Sequence, residues 1–238
     1  MQCLSPTTAL DTPRILCVIP THPKDTEYLK LTLQTVNDQT VPVTTIITPT
    51  EISNIANIPR RMSVILNHAL NKIDLSLYDY ILRIDTDTIL PPDFIEKNLE
   101  QNADVVGYGH AHLIKVSTFR EVMNCTFHRE SDDSYLNYKF MYAHKKWMYW
   151  NVKPIRSRKC GRTHSKQYFI DRGALMWMLG YEPLHVIGNV RWDFYNVFAV
   201  FGYFYAMLNR VTRLDVAKSV FHYQICRLTV DIRRRRRF

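Results

Sequence analysis

Glycine is scarce in this chain, 7 of 238 residues, and proline stands at 11. With 46% of residues apolar, this excludes a collagenous or low-complexity chain and leaves enough apolar surface for one large core. A single α/β domain is the default reading. Cysteine is sparse as well: Cys3, Cys17, Cys125, Cys160 and Cys226 are odd in number, widely spaced and never paired as CxxC. That argues against a disulfide framework or a structural zinc site and points to a reducing, cytoplasmic compartment. The N-terminal MQCLSPTTALDTPR lacks the apolar stretch of a secretory signal. The most apolar run, residues 194–208, is shorter than the about 18 residues a membrane span needs, and Asn196 interrupts it. It reads as a buried amphipathic helix. No internal repeat is present, and the only low-complexity stretch is an arginine tail.

Acidic residues are missing from one long window. Residues 134–170 hold nine Lys and Arg and no Asp or Glu, and Arg233 to Arg237 add five consecutive charges. These two segments more than account for the net charge of +9, so the rest of the chain is mildly acidic and the basicity is local.

What is present alternates. Arg14 to Pro23 (RILCVIPTHP) reads as a buried strand that ends in a loop, and the apolar spacing from Asp25 to Gln39 predicts a helix. Val43 to Pro49 is a second β-branched run. Residues 50–59 read as a loop, Arg60 to Ile73 as a helix and Tyr78 to Ile84 as a third buried strand. Such alternation implies a mostly parallel sheet, whose ligands sit beyond the carboxyl ends of the strands: Pro20 to His22, Thr48 to Glu51 and Asp85 to Asp87. Further along, Pro91 to Gln101 predicts a short helix and Asp104 to Val116 a strand. Residues 117–167 have weak periodicity and predict a partly ordered excursion. Gln167 to Leu179 suggests a strand feeding a helix that stops at Gly180, Trp192 to Leu208 a second helix, and Val211 to Tyr223 a last strand or two.

The sharpest chemical signal is Asp85-Thr86-Asp87 directly after YDYILRI. Two carboxylates at i and i+2 past a buried strand converge on one spot, and Mg2+ or Mn2+ takes carboxylate oxygens while leaving positions for substrate phosphates. A solvated acidic turn is the plain alternative. His110 and His112, at i and i+2, would share one face of a strand, as metal ligands or in lining an acceptor site.

The order of these features resembles glycosyltransferase family 2. The strand ending in Pro20-Thr21, the helix ending in Gln39, the helix carrying Asn67 in ILNHAL, and the strand leading into DTD and LPPDF all fit. So do FIDRGALMWMLGY and VRWDFYNVFAVFGYFYAML, with an acidic residue opening the second helix; the resemblance runs from Arg14 to His222. It implies a GT-A fold, a three-layer α/β/α sandwich with a Rossmann-like donor half, a nucleotide-diphosphate sugar donor, and Mn2+ or Mg2+. Asp87 would hold the metal, Asp85 the ribose or the metal, and Asp193 would be the catalytic base of a metal-dependent inverting hexosyl transfer. A carboxylate there takes the acceptor proton as the hydroxyl attacks the anomeric carbon. Asp193 as a helix-opening acid favoured by the macrodipole is the alternative.

His222 falls where family members place a third metal ligand; a satisfied polar group beside a strand is the other reading. The family's acidic residues at the second strand are replaced here by ITPTE, which leaves Glu51 as the one acid available for base and ribose. Arg60, Arg61 and Asn67 would face the diphosphate or support the loop; for the two arginines a plain solvated helix start is the alternative. Asp171 is an alternative base, or a salt-bridge partner of Arg172 or a neighbour. The division implied is an extension over residues 1–13, a donor half over 14–116, an acceptor half over 117–223 and a basic tail over 224–238.

The window 134–170 interleaves tyrosines and tryptophans with its cations. This mix suits a lid over an anionic donor, an acceptor or anionic-membrane contact, or, less well, a nucleic-acid groove. The arginine tail suits a solvated block or peripheral attachment to an anionic membrane. The acceptor, a glycan, a lipid-linked group or a protein, is not specified. Two rival functions stand beside the transferase: an inactive module of the same fold that binds membrane or nucleic acid through its basic segments, and a nucleotidyltransferase. The second is disfavoured because PTHPKD, after the first strand, has no glycine.

Overall fold

The structure, a computed structural model, describes residues 12–49, 55, 57–158 and 165–235. Six strands form the central sheet in the order β2-β1-β3-β6-β5-β7, with β1 Ile15–Thr21, β2 Val43–Pro49, β3 Tyr80–Ile84, β5 Val105–Tyr108, β6 Ala111–Lys115 and β7 Trp147–Met148. β1 pairs in parallel with β2 and β3, β6 runs antiparallel to β3 and β5, and β7 is parallel to β5. Five of the six strands therefore point the same way, and the mostly parallel α/β sheet expected from the alternation is present.

Side chains along β1 alternate between two apolar layers, as the period of a strand requires. Leu16 and Val18 pack with Leu66 of α2 (Ile58–Leu70), Phe119 of α4 (Val116–Met123), Leu136 of α5 (Ser134–Tyr142) and Val220 of α9 (Ala217–Arg235). Ile15, Cys17 and Ile19 pack on the opposite face with Val36 of α1 (Thr26–Asn37) and Phe94 of α3 (Phe94–Leu99). Burial pushes the Cys17 thiol well above its ordinary pKa, which keeps it neutral. Of the described cysteines, Cys17 is buried, Cys125 half-buried and Cys226 exposed.

A third, smaller layer joins α6 (Lys166–Met178), α7 (Pro183–Gly188) and α8 (Asn196–Leu208) around Met176, Val186 and Tyr203. Two glycines set its spacing. A Cβ at Gly173 would stand 1.9 Å from the Ala199 carbonyl oxygen, and one at Gly202 would stand 2.0 Å from that of Ile170. Gly202→Ala must therefore push the two helices apart, at a cost of about 3 kcal/mol; a urea midpoint equal to the parent's would contradict this packing.

Four expectations are corrected. Residues 104–116 form a hairpin of β5 and β6, because Gly107 and Gly109 take positive φ (111° and 62°) and allow the tight reversal. His110 thus sits in the turn, off the strand that carries His112. Residues 117–158 are more ordered than their periodicity suggests, with α4, α5, β7 and β8 (Ile155–Arg156) within them. Gln167 to Met178 is helical throughout, started by Ser165, whose hydroxyl accepts from the Tyr168 amide. Finally, Val211 to Tyr223 contains no strand. Val216, Ala217, Val220 and Gln224 are buried at helical spacing, and α9 runs from Ala217. Among the described residues, no helix is long and apolar enough to cross a membrane.

Candidate functional site

The carboxyl ends of β1 and β3 open into a cleft of about 350 Å3. Asp85, Thr86 and Asp87 form its floor, and their turn is pinned from three sides. The Thr86 hydroxyl donates to the Pro20 carbonyl at the end of β1 (2.6 Å), while the Thr32 hydroxyl of α1 donates to the Thr86 carbonyl (2.5 Å). The Asp85 amide donates to the His110 carbonyl in the hairpin turn (2.9 Å). Thr32 and Thr86 are both buried, so the central threonine anchors the turn and the two aspartates are left to face the cleft. Gln39 steadies the same region: its side chain donates to the Pro91 carbonyl (2.7 Å) and accepts from the Ile95 amide (3.1 Å).

Five aspartates and four arginines line this cleft. Arg83, 4% exposed on β3, places Nη1 2.9 Å from Asp85 Oδ1 and Nη2 2.6 Å from Asp132 Oδ2. Neither carboxylate oxygen has an aligned donor, so these are charge contacts. Burial pushes the Asp132 carboxyl up to about 6 even though the Arg83 charge pulls it down. From the far side comes a strap that the sequence showed only as a basic window. β8 pairs antiparallel with β4 (Thr88–Ile89), the strand that follows the aspartates, and the Ser157 amide donates to the Asp87 carbonyl (2.9 Å). Arg156 Nη2 then reaches Asp85 Oδ2 (3.1 Å), while Arg158 donates to Asp87 Oδ2 (3.3 Å) and to Asp25 Oδ1 (2.9 Å). The only hint in sequence was the i, i+2 spacing of the two arginines, which puts both on one side of an extended segment.

Pro20, Arg61, Asp85 and Asp87 are brought together here, and Thr21 lies at the end of the same strand with its hydroxyl on the Ile19 carbonyl (3.3 Å). Arg61 Nε is buried without a hydrogen-bond partner among the described residues, a donor left open to an anion in the cleft. Asn67 does not line the cleft. Its side chain clamps the Phe127 backbone, accepting from the amide (2.7 Å) and donating to the carbonyl (2.9 Å), which supports the loop leading to Asp132. Arg60 turns away to Glu130 (2.5 Å). Asp171 accepts from Asn57 (3.1 Å) and Gln167 (2.8 Å), and Arg172 reaches Asn196 instead (3.4 Å). Asp193 holds the Tyr195 amide at the approach to α8 (3.0 Å) and is not among the cleft's lining residues. His222 stands on exposed positions of α9 next to Cys226 (3.5 Å), away from the cleft lining. Glu51 lies outside the described residues.

Among the described residues, no three His, Cys, Asp or Glu side chains converge as a preformed metal cage. The oxygen donors of Asp85 and Asp87 fit an ion that takes one or two carboxylates and fills its remaining positions with water and substrate phosphate. Asp85 Oδ1 accepts no aligned hydrogen bond and meets only the charge of Arg83.

His112, paired across the sheet with Arg83, is 1% exposed, and among the described residues neither ring nitrogen has a hydrogen-bond partner. Burial, with the Arg83 charge adding to it, pulls its pKa down to about 3 from 6.5, so the folded protein keeps it neutral. The unfolded chain takes up a proton below 6.5 that the folded one refuses, so stability falls as pH drops toward 3. Relative to His112→Leu, the parent should lose about 1.4 kcal/mol per pH unit across that range. Urea midpoints of the two proteins at pH 7, 5.5 and 4.5 check this; a constant gap would refute it.

No protein-family model matches this chain, and no curated protein matches it significantly. Solved structures do. A mannosyltransferase from Pyrobaculum calidifontis, in complex with GDP-mannose and Mn2+, aligns over 91% of this chain and 81% of its own at 12% identity, with a TM-score of 0.53. Weaker likenesses are S. aureus TarS (TM-score 0.42, 11% identity, 69% and 40% of the two chains) and a Drosophila β1,4-galactosyltransferase 7 (TM-score 0.46, 12% identity, 63% and 77%). The fold is of the α/β, GT-A type that the sequence led us to expect.

Proposed function

We propose that this protein is a glycosyltransferase that takes its sugar from a nucleotide-diphosphate donor held in the cleft over Asp85 and Asp87. The observation that carries the reading is the pinned Asp85-Thr86-Asp87 turn at a strand's carboxyl end, opposite Arg61 with its unpaired Nε. The fold shared with a GDP-mannose-binding transferase supports it. Arg61, Arg156 and Arg158 meet the negative diphosphate, and Asp85 and Asp87 hold Mn2+ or Mg2+. When bound, that ion supplies charge stabilisation to the departing diphosphate. Arg156 and Arg158 exchange their carboxylate partners for the donor's oxygens, which are equally good bidentate acceptors. Residues 14–116 supply the floor of the donor side, Arg156 and Arg158 close it from residues 117–223, and those later residues carry most of the acceptor side.

The transfer inverts configuration, with a carboxylate accepting the acceptor's proton. The family resemblance names Asp193 for that role. Position favours Asp133, which lines the cleft. Incubation with GDP-mannose, UDP-galactose and related donors, followed by nucleotide release and by NMR of the product's anomeric proton, tests the whole reading. Release stimulated by Mn2+ and an inverted product are expected; hydrolysis of none of the donors would sink it. Asp193→Asn and Asp133→Asn, assayed side by side, assign the base to whichever loses turnover while keeping donor affinity.

A further inference from the structure

Beside the cleft lies a second cavity of about 390 Å3 that shares two walls with it, Gly109 and Asp133. Its chemistry is different. Tyr108, Tyr138, Tyr149, Tyr181 and Tyr223 line it together with Trp147, and among the described residues its formal charges are Asp133 and Arg227, which offset each other. The cleft concentrates four arginines; among the described residues this cavity has one. Its lining comes from β5, β7, α5 and α9, on the side of β3 away from the β1–β2 edge of the sheet.

The aromatic wall is held in place before any ligand arrives. The Trp147 indole donates to the Gly107 carbonyl (2.9 Å) and the Trp150 indole to the Ala111 carbonyl (3.2 Å), so both are fixed to the β5–β6 hairpin. Tyr149 meets Trp147 edge-on (4.6 Å between centroids) and Tyr108 edge-on (5.4 Å), and Tyr108 leans on Trp150 (4.4 Å). Yet Tyr108 and Tyr149 remain 46% and 57% exposed. At Gly109 nothing lies within 4 Å of where a Cβ would stand, so the common wall is open at that point.

A rigid aromatic surface with phenol hydroxyls, Asn137 and Ser134 at its edge, near-zero net charge and a volume in the range of ligand sites suits one ligand class. It is a neutral ring with apolar C–H faces and a rim of hydroxyls. We propose that this cavity binds a saccharide and is the acceptor site, with Asp133 and Gly109 at the junction where the acceptor hydroxyl meets the donor. The assignment rests on the transferase reading above, and the basic, aromatic window 134–170 then serves both sites: Arg156 and Arg158 face the donor, and Tyr138, Trp147 and Tyr149 face the acceptor.

The test is saturation-transfer NMR and titration with methyl glycosides of mannose, galactose, glucose and N-acetylglucosamine and with cellobiose and lactose. It uses the full-length wild type, Tyr108→Ala, Tyr149→Ala, Tyr149→Phe and, as a remote control, Leu184→Ser on exposed α7. Donor binding by the wild type is measured in parallel. At least one saccharide should bind the wild type, weaken by about tenfold or more in both alanine variants, and be retained in Tyr149→Phe and Leu184→Ser. Equal binding by the alanine variants, or a wild type that binds a nucleotide sugar and none of these saccharides, overturns the assignment. A wild type that binds neither overturns the transferase reading itself.

Discussion

Arg83→Met should lower stability by about 3–5 kcal/mol, because it leaves the Asp132 carboxylate buried without its counter-charge. Arg83 is 4% exposed and Asp132 6%, and Arg83 also lies against Asp85 and donates to the Gly109 carbonyl (2.6 Å). A single arginine thus ties β3, the β5–β6 turn and the 127–133 loop together. For a chain of this size the loss corresponds to a melting temperature roughly 10 °C lower. The reason for the loss can be isolated. An Arg83→Met, Asp132→Leu double variant has no unpaired buried charge and should recover most of the stability, since an ion pair replaced by apolar groups of similar volume is often close to neutral. If the double variant were as unstable as Arg83→Met alone, lost packing around the arginine would be the cause instead of the stranded carboxylate.

The second large effect belongs to chemistry. Asp87→Asn keeps the shape of the turn, because Thr86 and the Asp85 amide make its anchoring hydrogen bonds and the Asp87 main-chain carbonyl still receives Ser157. It removes a carboxylate from the proposed metal and donor site. Turnover should fall by roughly 100-fold or more, the scale seen when one preorganised electrostatic contact to a transition state is removed. The melting temperature should stay near that of the parent, since Arg156 and Arg158, which meet the buried Asp87 carboxylate, are partly exposed and keep Asp85 and Asp25 as partners. Full activity in Asp87→Asn would remove the Asp85-Thr86-Asp87 turn from the mechanism. Reduced activity with a collapsed melting temperature would assign Asp87 a structural role.

How much of this was legible in the sequence differs by element. β1, β2 and β3 are continuous β-branched or apolar runs buried on both faces or ending in Pro and Asp, so their positions were readable nearly to the residue, and the acidic turn came with them. The hairpin was harder to see. DVVGYGHAHLIKV alternates well enough for one strand, and only the left-handed backbone of Gly107 and Gly109 divides it. VTRLDVAKSVFHY has the β-branched composition of a strand, yet its buried positions follow a helical period once α9 packs against the sheet, so tertiary packing overrode propensity.

The site divides in the same way. Local spacing pointed to Asp85 and Asp87, and the family resemblance to Arg61. Arg83, Asp132, Arg156 and Arg158 come from positions up to 75 residues apart and meet only through the sheet and the β4–β8 pairing, which no local pattern encodes. Thr32 looked like any helical threonine, and its role depends on a carbonyl 54 residues away. The acidic residue opening α8 and the histidine after Phe221 were conspicuous in sequence, but neither lines the cleft.

The most direct test of a donor site over Asp85 and Asp87 is thermal unfolding of the wild type during titration with GDP- and UDP-sugars, in Mn2+ and again in EDTA. A ligand that binds the folded state stabilises it by about 2.7 kcal/mol at a hundredfold excess over Kd, or roughly 5–10 °C here. A rise with at least one donor, larger with Mn2+ than with EDTA and absent in Asp87→Ala, is the predicted result. Unfolding unmoved by every donor, or moved equally in Asp87→Ala, would contradict a nucleotide-sugar site in this cleft.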